Sequence, residues 1–385
     1  MMLKSLTTAL EKSMKKRTIL FASVSLILII SIGLIYFKPI WRTQVMAYMG
    51  SPMNQLRLGR MYATGLGVTQ SPKPEEAVHW YAKAAAQGEI EAEYYLGLSY
   101  LNGTGIKPDA RKALGLLTSA ANKSDPHSQV VLAAEYVSGE HVPVDYNKSF
   151  YLAQQAINSG KLDTFTLGQV EPIVGWLYES GHGVSQDYQK AFAAYSTAAK
   201  YKGIHGYMGL AGLYGRGMGV REDQAKAFEL WLLAANDGDS MAQFNVANHY
   251  LDGVGISKDL QKAINFFTAS ANQGFANAQE SLGQLYEKGE GVTADNSAAS
   301  EWYRKAAEQG RPNSQLSLAN MYAKGLGVPQ NYQAAYMWAT IARVKSADDA
   351  SNLMAGLTFL MSHEQIERAQ DMAAKWWKAH GQESS

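Results

Sequence analysis

Apolar residues recur along this chain with a long period. A motif tyrosine returns at intervals of 36 to 42 residues, at Tyr62, Tyr100, Tyr136, Tyr178, Tyr214, Tyr250, Tyr286 and Tyr322. Before Tyr286, Ala278, Leu282 and Leu285 fall on one face at about 3.6 residues per turn, and Gly283 on that face allows a neighbouring helix to approach. A second stripe of alanine and aromatic residues completes each unit. Each unit therefore predicts two amphipathic helices.

The units also contain the signals that end one helix and begin the next. A Gly-x-Gly-Val segment, as at Gly289 to Val292, ends the first helix because glycine accepts a positive φ without a Cβ clash. An aspartate such as Asp187 or Asp259 then offers an N-cap to the second helix. Neither helix buries its apolar face alone, but stacked neighbours do. We therefore predict an all-α fold: a right-handed α-solenoid of eight 36-residue helix-turn-helix repeats over residues 53–345.

The period changes between the third and fourth units. The interval there is six residues longer, with an insertion near 161–172 that contains Pro172. Because proline is disfavoured inside a helix, we predict that the next helix begins late and that the solenoid bends or breaks at this point.

Residues 346–385 are predicted to form two capping helices after the last repeat. The second would open with a Ser362-x-x-Gln365 capping box. A terminal cap has to cover the open end of the stack. The residues expected to do this are Leu353, Leu357, Ile366, Met372 and Trp376.

The segment before the repeats has a different character. Residues 1–17 form a basic tail, and residues 18–37 are twenty residues without a charge. A helix of that length reaches about 30 Å, the thickness of a hydrocarbon core. With the basic tail held in the cytoplasm, this predicts a single-pass protein of the bacterial inner membrane, a linker at 38–52 and a periplasmic repeat domain. The alternative is a signal peptide cut near Ala47, which would leave a secreted or periplasmic protein.

Composition and motifs remove several classes of function. The chain has no cysteine, which excludes disulfides and cysteine nucleophiles. Beyond the basic tail, 30 basic and 33 acidic residues remain, so there is no basic surface for nucleic acid. The eight histidines never form His-x-x-x-His, and the repeats contain no phosphate-binding or Ser-x-x-Lys catalytic motif. We therefore predict no catalysis, no cofactor, no metal and no small-molecule substrate.

The repeating residues resemble a known family. The Leu-Gly-x-x-Tyr of 58–62, the Gly-x-Gly-Val of 65–68 and the Trp-Tyr-x-Lys-Ala-Ala of 80–85 recur in later units. These motifs are similar to those of the Sel-one-like repeat family, a relative of the tetratricopeptide repeat. The resemblance implies a protein-binding scaffold without an active site.

A partner would be expected on the first helices, at positions that do not repeat. Five and two residues before the motif tyrosine, the side chains vary from unit to unit. They are basic in the first unit, apolar in the second to fourth and polar in the sixth to eighth. The predicted partner-binding residues are Arg57, Arg60, Tyr95, Leu98, Val131, Ile173, Trp176, Asn245, Asn248, Gln284 and Asn320.

The apolar part of this set has two interpretations. Tyr95, Leu98, Val131, Ile173 and Trp176 would form one exposed patch that binds a protein partner on the concave face. Alternatively, the inserted Leu162, Phe165 and Leu167 would fold over that patch and bury it. The polar residues would be either a solvated face or a site for an extended peptide.

The predicted function is a membrane-anchored periplasmic adaptor that holds a protein partner and has no catalysis of its own. One alternative is an immunity protein or inhibitor that occludes a secreted effector, such as a phospholipase-like toxin of type VI secretion. Another is a regulator of an envelope sensor.

Overall fold

The computed structural model describes residues 39–69, 71–343 and 347–380, and these contain nineteen α-helices and no β-strand. In chain order, helices α1 to α19 are Pro39–Tyr48, Pro52–Thr64, Pro74–Ala85, Ile90–Asn102, Ala110–Asn122, Pro126–Ser138, Tyr146–Asn158, Thr164–Ser180, Tyr188–Lys200, Ile204–Arg216, Gln224–Asn236, Ser240–Asp252, Leu260–Asn272, Ala276–Lys288, Asn296–Glu308, Pro312–Lys324, Tyr332–Ala342, Ala347–Thr358 and His363–Ala379. The prediction of an all-α fold is confirmed, and adjacent helices pack in pairs as a solenoid requires.

The helix ends lie where the sequence predicts them. In the seventh repeat, Gly289 adopts φ 69° and ends α14, and the Asp295 side chain accepts from Ser297 N and Ala298 N to begin α15. Asp295 N also donates to the carbonyl of Tyr286 at 2.9 Å. This backbone bond from the cap residue to the motif tyrosine fixes the length of the turn inside each repeat.

In three of the repeats, a glycine of the first helix lies close to a tyrosine ring of the second helix. A Cβ added at Gly283 would lie 2.6 Å from Tyr303 Cδ1, a separation that two carbon atoms do not reach. Tyr303 is 1% exposed, and its hydroxyl donates to Glu287 Oε2 at 2.6 Å. The predicted role of Gly283 is therefore confirmed, and Gly59 repeats it against Tyr81.

A second contact, found in five of the repeats, joins a repeat to the preceding helix through a side-chain amide. Seven residues before the motif tyrosine, the Gln279 side chain donates to the carbonyl of Ala271 at 3.1 Å and accepts from Gln309 Nε2 at 2.8 Å. Gln55 makes the corresponding bond to Ala47 at 3.1 Å in α1. Residues of the predicted linker 38–52 thus form a helix that takes the place of a preceding repeat.

The region of the insertion differs from its prediction. Helix α8 begins at Thr164 and runs for 17 residues, whereas the first helices of the other repeats have 13. Pro172 is buried inside α8 and does not delay it, so that prediction was wrong. The structure divides into two compact units within this helix, 1–166 and 167–385.

The carboxyl-terminal cap is mostly as predicted. Helices α18 and α19 pack against α17, and α19 opens with the Ser362 and Gln365 capping box. Leu357 is buried and Leu353, Ile366 and Trp376 pack against the same core. Met372 is 40% exposed and lies on the outer face of α19, so its predicted place in the seal was wrong.

The predicted membrane location is corrected. Residues 18–37, on which it depended, lie outside the described part of the chain. Among the helices of 39–69, 71–343 and 347–380, not one is both long and apolar enough to cross a bilayer. The described helices of 10 to 17 residues fall short of the roughly 20 apolar residues that a bilayer needs, so they do not bear out the single-pass inner-membrane location.

Candidate functional site

The predicted partner-binding residues of the first repeat lie at the surface. Arg57 and Arg60 are exposed on α2. Arg60 Nη1 binds Glu91 Oε1 at 2.9 Å, and its guanidinium carbon lies 5.6 Å from the centre of the Tyr95 ring. Arg60 is therefore joined to the second repeat by an ion pair and a cation–π contact.

The apolar residues are divided between the two compact units. Tyr95, Leu98 and Val131 are half-buried in the first unit, where Tyr95 stacks on Tyr81 with ring centres 5.2 Å apart. Burial and the neighbouring carboxylate of Glu91 raise the pKa of Tyr95, although Arg60 opposes this.

Two of the apolar residues, Ile173 and Trp176, belong to the second unit. Ile173 is half-buried, and Trp176 is 37% exposed and stacks on His182 with the ring planes 6° apart. Phe165, the largest residue of the insertion, is 73% exposed in the first unit.

The polar residues lie on α12, α14 and α16 of the second unit. Asn245 and Asn248 are half-buried one turn apart, and Gln284 is exposed. Asn320 is half-buried, and its Nδ2 donates to the carbonyl of Leu316 at 3.0 Å. This bond occupies an Asn320 donor within its own helix.

The structure adds a cleft that the sequence did not indicate. It has a volume of about 650 Å³ and lies within the first unit, between α4, α6 and the turn before α8. Aromatic side chains and carboxylates make most of its wall, with Lys123 and Lys161 at its edge. Its lining includes Glu89, Glu91, Tyr94, Tyr95, Asp125, His127, Asp163, Phe165 and Thr166. We call it the Tyr94 cleft.

Carboxylates surround Tyr94 in this cleft. Burial, and after it Tyr95, Asp125, Asp163 and Glu91 in that order, raise the pKa of Tyr94 to about 12. Asp125 Oδ2 accepts from Ser128 N at 2.7 Å and Asp163 Oδ1 accepts from Thr166 N at 2.7 Å, so both aspartates cap helices that begin at the cleft. The bond from Thr166 holds the pKa of Asp163 below its usual value.

The second repeat also changes the amide contact beneath the cleft. At the position of Gln279 it has Glu93, whose Oε1 binds Lys123 Nζ at 2.8 Å. Glu93 is 7% exposed, and its Oε2 is buried without a hydrogen-bond partner among the described residues. A charged pair therefore replaces the Gln–Gln pair that the first, third, sixth and seventh repeats have here.

Comparison with known proteins identifies the repeats. The profile described as "Sel1 repeat" matches eight segments, at 55–89, 90–125, 126–161, 173–200, 204–239, 240–275, 276–310 and 312–343, well over half of the chain. The chain belongs to the Sel1 repeat family. Proteins of this family mediate protein–protein interaction, and the scaffold is generally non-catalytic. The predicted resemblance is confirmed for the repeats.

Individual Sel1 repeat proteins share the fold at moderate identity. A Sel1 repeat protein from Oxalobacter formigenes is 29% identical with a TM-score of 0.59, covering 82% of this chain and 89% of its own. The protective antigen c5321 from uropathogenic Escherichia coli is 23% identical with a TM-score of 0.51, covering 89% and 95%. The alginate biosynthesis protein AlgK of Azotobacter vinelandii is 33% identical over 119 residues, which is 31% of this chain and 25% of AlgK. The match spans about a quarter of that relative's length.

The described repeats offer few side chains that are placed to bind a metal ion. Within the described ranges, no cluster of three or more His, Asp or Glu side chains is placed to hold a metal ion. His127 is the histidine of the Tyr94 cleft, and its Nδ1 lies 4.0 Å from Asp125 Oδ1. The aromatic rings and charged side chains that line the Tyr94 cleft are suited to binding a ligand through ring contacts and ion pairs.

The sequence missed the Tyr94 cleft for a physical reason. Tyr94 lies six residues before its motif tyrosine, outside the stripe that was used to choose partner-binding residues. Glu91 and His127 lie nine residues before their motif tyrosines, on the same helical face as the positions five and two residues before. Their proximity to each other depends, however, on how two repeats pack. Asp163 and Phe165 come from the insertion, which has no counterpart in the other repeats. The available signal was the pair Tyr94 and Tyr95, which no other repeat contains.

Proposed function

We propose that the chain is an adaptor, a right-handed solenoid that holds a protein partner against its first helices and has no catalysis of its own. The observation that carries this proposal is that residues of the repeating motif are buried between helices, while the non-repeating residues of the first helices reach solvent. Leu177 and Gly175 are buried in α8, whereas Trp176 between them is 37% exposed.

Side chains at such positions are free to vary without loss of the fold. Exposed tryptophan and arginine side chains are common anchors of protein interfaces, because they bury a large area or form several hydrogen bonds. Arg57 on α2 and Trp176 on α8 offer such groups in the first and second compact units respectively. The proposed partner-binding residues are those predicted from the sequence, with Trp176 as the main anchor.

The experiment is affinity capture with crosslinking. The full chain would be tagged, crosslinked in cells of its source, and its partner identified by mass spectrometry, with the crosslinked positions mapped onto the helices. We expect crosslinks on the first helices and a loss of capture on Trp176→Ala of about thirtyfold, as for an interface anchor worth about 2 kcal/mol.

Phe359→Ala supplies the matched control. Phe359 is 90% exposed in the turn between α18 and α19, so its removal also deletes a surface aromatic ring but leaves the first helices unchanged. Equal capture by the two variants, or crosslinks confined to the second helices, would contradict the proposal. The captured partner's identity separates the adaptor from its two alternatives, since an inhibitor retains a secreted effector and a regulator retains a sensor.

A further inference from the structure

We infer that the Tyr94 cleft binds a basic side chain, Arg or Lys, in an extended segment of the protein partner. The inference rests on the proposed function and specifies the partner's chemistry at one place. It begins with the shape of the site: a cleft of about 650 Å³ is large enough for one or two side chains and their backbone.

The walls suit a cation with an apolar stem. Tyr94 and Tyr95 have ring centres 5.1 Å apart, and His127 lies 5.7 Å from Tyr94. Phe165 stands at the edge and is 73% exposed. Aromatic faces attract ammonium and guanidinium groups through the ring quadrupole and also pack against the methylene stem.

The charges favour the same ligand. Two of the cations near the cleft are already engaged, because Lys123 binds Glu93 and Arg60 binds Glu91. Lys161 is then the remaining lysine of the lining, and the lining also contains the three carboxylates of Glu89, Asp125 and Asp163.

An anionic ligand is disfavoured even though two helices begin at the cleft. Helix amino termini attract anions through their free N–H groups. Here the side chains of Asp125 and Asp163 already accept from those groups at 2.7 Å in α6 and α8. An incoming phosphate or carboxylate would have to displace an aspartate from each cap, whereas a cation pairs with the aspartates as they stand.

The test is selection of peptides on the full chain from a phage-displayed random heptapeptide library. We expect enrichment of peptides with Arg or Lys beside an apolar residue. A fluorescent synthetic copy of the most enriched peptide should bind less tightly as salt is raised, and replacing its basic residue by neutral citrulline or norleucine should weaken binding at least about tenfold.

Matched variants then locate the site. Asp125→Asn with Asp163→Asn removes two charges but keeps both caps, because asparagine is as good an N-cap as aspartate, and should weaken the peptide about tenfold. Asp223→Asn with Asp259→Asn makes the same change at the caps of α11 and α13, outside the cleft, and should leave binding unchanged. Phe165→Ala, which alters an exposed side chain, should weaken binding several-fold.

Three results would overturn the inference: enrichment of acidic or uncharged peptides, no enrichment at all, or equal binding by both pairs of aspartate variants. The proposed function fails separately. If the captured partner is retained in full by Asp125→Asn with Asp163→Asn but lost on Trp176→Ala, the adaptor function stands and the cleft inference falls.

Discussion

The junctions between the second and third repeats and between the seventh and eighth repeats use equivalent positions in different ways. Six residues before the motif tyrosine, the seventh repeat has Glu280 and the second has Tyr94. Glu280 is 7% exposed and receives Arg311 Nε at 3.1 Å and Ser314 Oγ at 3.0 Å from the next repeat. At the positions of Arg311 and Ser314, the third repeat has Asp125 and Ser128.

The consequences of this exchange are opposite. At the Glu280 junction, charge is paired internally and the polar groups are satisfied. At the Tyr94 junction the ring cannot accept from Ser128, whose Oγ is buried without a hydrogen-bond partner in the described part of the chain, and Asp125 faces the cleft. The same backbone thus supports a closed polar junction in one unit and an open site in the other.

Of the substitutions at these two junctions, Glu280→Ala should lower the free energy of unfolding the most. It leaves Arg311, Asn313 and Ser314 without their acceptor at a buried junction, which costs about 3 kcal/mol of unfolding free energy. Urea unfolding followed by circular dichroism measures it. Glu301→Ala, an exposed position on α15, is the control, and equal midpoints for the two variants would show that the Glu280 network contributes nothing.

The seventh and second repeats also differ in the side chain of the second helix that faces the glycine of the first helix. An added Cβ would lie 2.6 Å from the Tyr303 ring at Gly283 but 2.9 Å from Leu117 Cγ at Gly97. Leucine adjusts its rotamer more easily than a tyrosine that also binds Glu287. We expect Gly283→Ala to cost about 2 kcal/mol and Gly97→Ala about 1 kcal/mol by thermal unfolding. The reverse order would show that ring rigidity does not decide the cost.

The stability of the fold should depend on pH through Glu171 of the fourth repeat. This residue stands seven residues before the motif tyrosine, where most of the repeats have glutamine. Burial raises the pKa of Glu171 to about 7 from 4.5. Below pH 4.5 the carboxyl is protonated in both states; between 4.5 and 7 only the folded state retains the proton, so stability falls as pH rises. Glu171→Gln should therefore stabilise the fold by about 1 kcal/mol above pH 7, after a discount for solvent screening, and have no effect near pH 4.

Unfolding midpoints at several pH values between 4 and 8 would measure this difference. Glu301→Gln, which removes a carboxylate from an exposed position, should show no such trend. A stabilisation by Glu171→Gln that is equal at pH 4 and pH 8 would assign the effect to packing instead of charge.

The smallest expected effect is the difference in stability between a Ser314→Ala and a Ser128→Ala variant. Ser314→Ala removes a hydroxyl that donates to Glu280 and should cost about 1 kcal/mol. Ser128→Ala removes a buried hydroxyl for which the described residues provide no hydrogen-bond partner, and it should be neutral or slightly stabilising, because an unsatisfied polar group is costly to bury. Melting temperatures of the two variants test this, and a destabilised Ser128→Ala would reveal a partner for that hydroxyl.

Local features of the fold could be read from the sequence. Helix caps at Asp187 and Asp259, helix ends at Gly289 and the close approach at Gly283 each depend on one residue and its repeat position. Because the helix-ending glycine recurs in all eight repeats and an aspartate cap begins the second helix in six of them, errors in one unit did not change the fold. Pro172 misled the prediction because α8 begins at Thr164 and includes the proline, although proline is disfavoured inside a helix.

The sequence by itself determined the all-α repeat architecture, the register of its helices and the family, because these follow from periodic apolar positions and from glycine and aspartate at fixed offsets. The tertiary structure alone decided which side chains meet across repeats. Tyr94, Asp125 and Asp163 are separated by about 30 to 70 residues in the chain and become neighbours only through helix packing. Exposure of Trp176, the free Glu93 oxygen and the cleft itself likewise depend on distances in space, which no periodic pattern specifies.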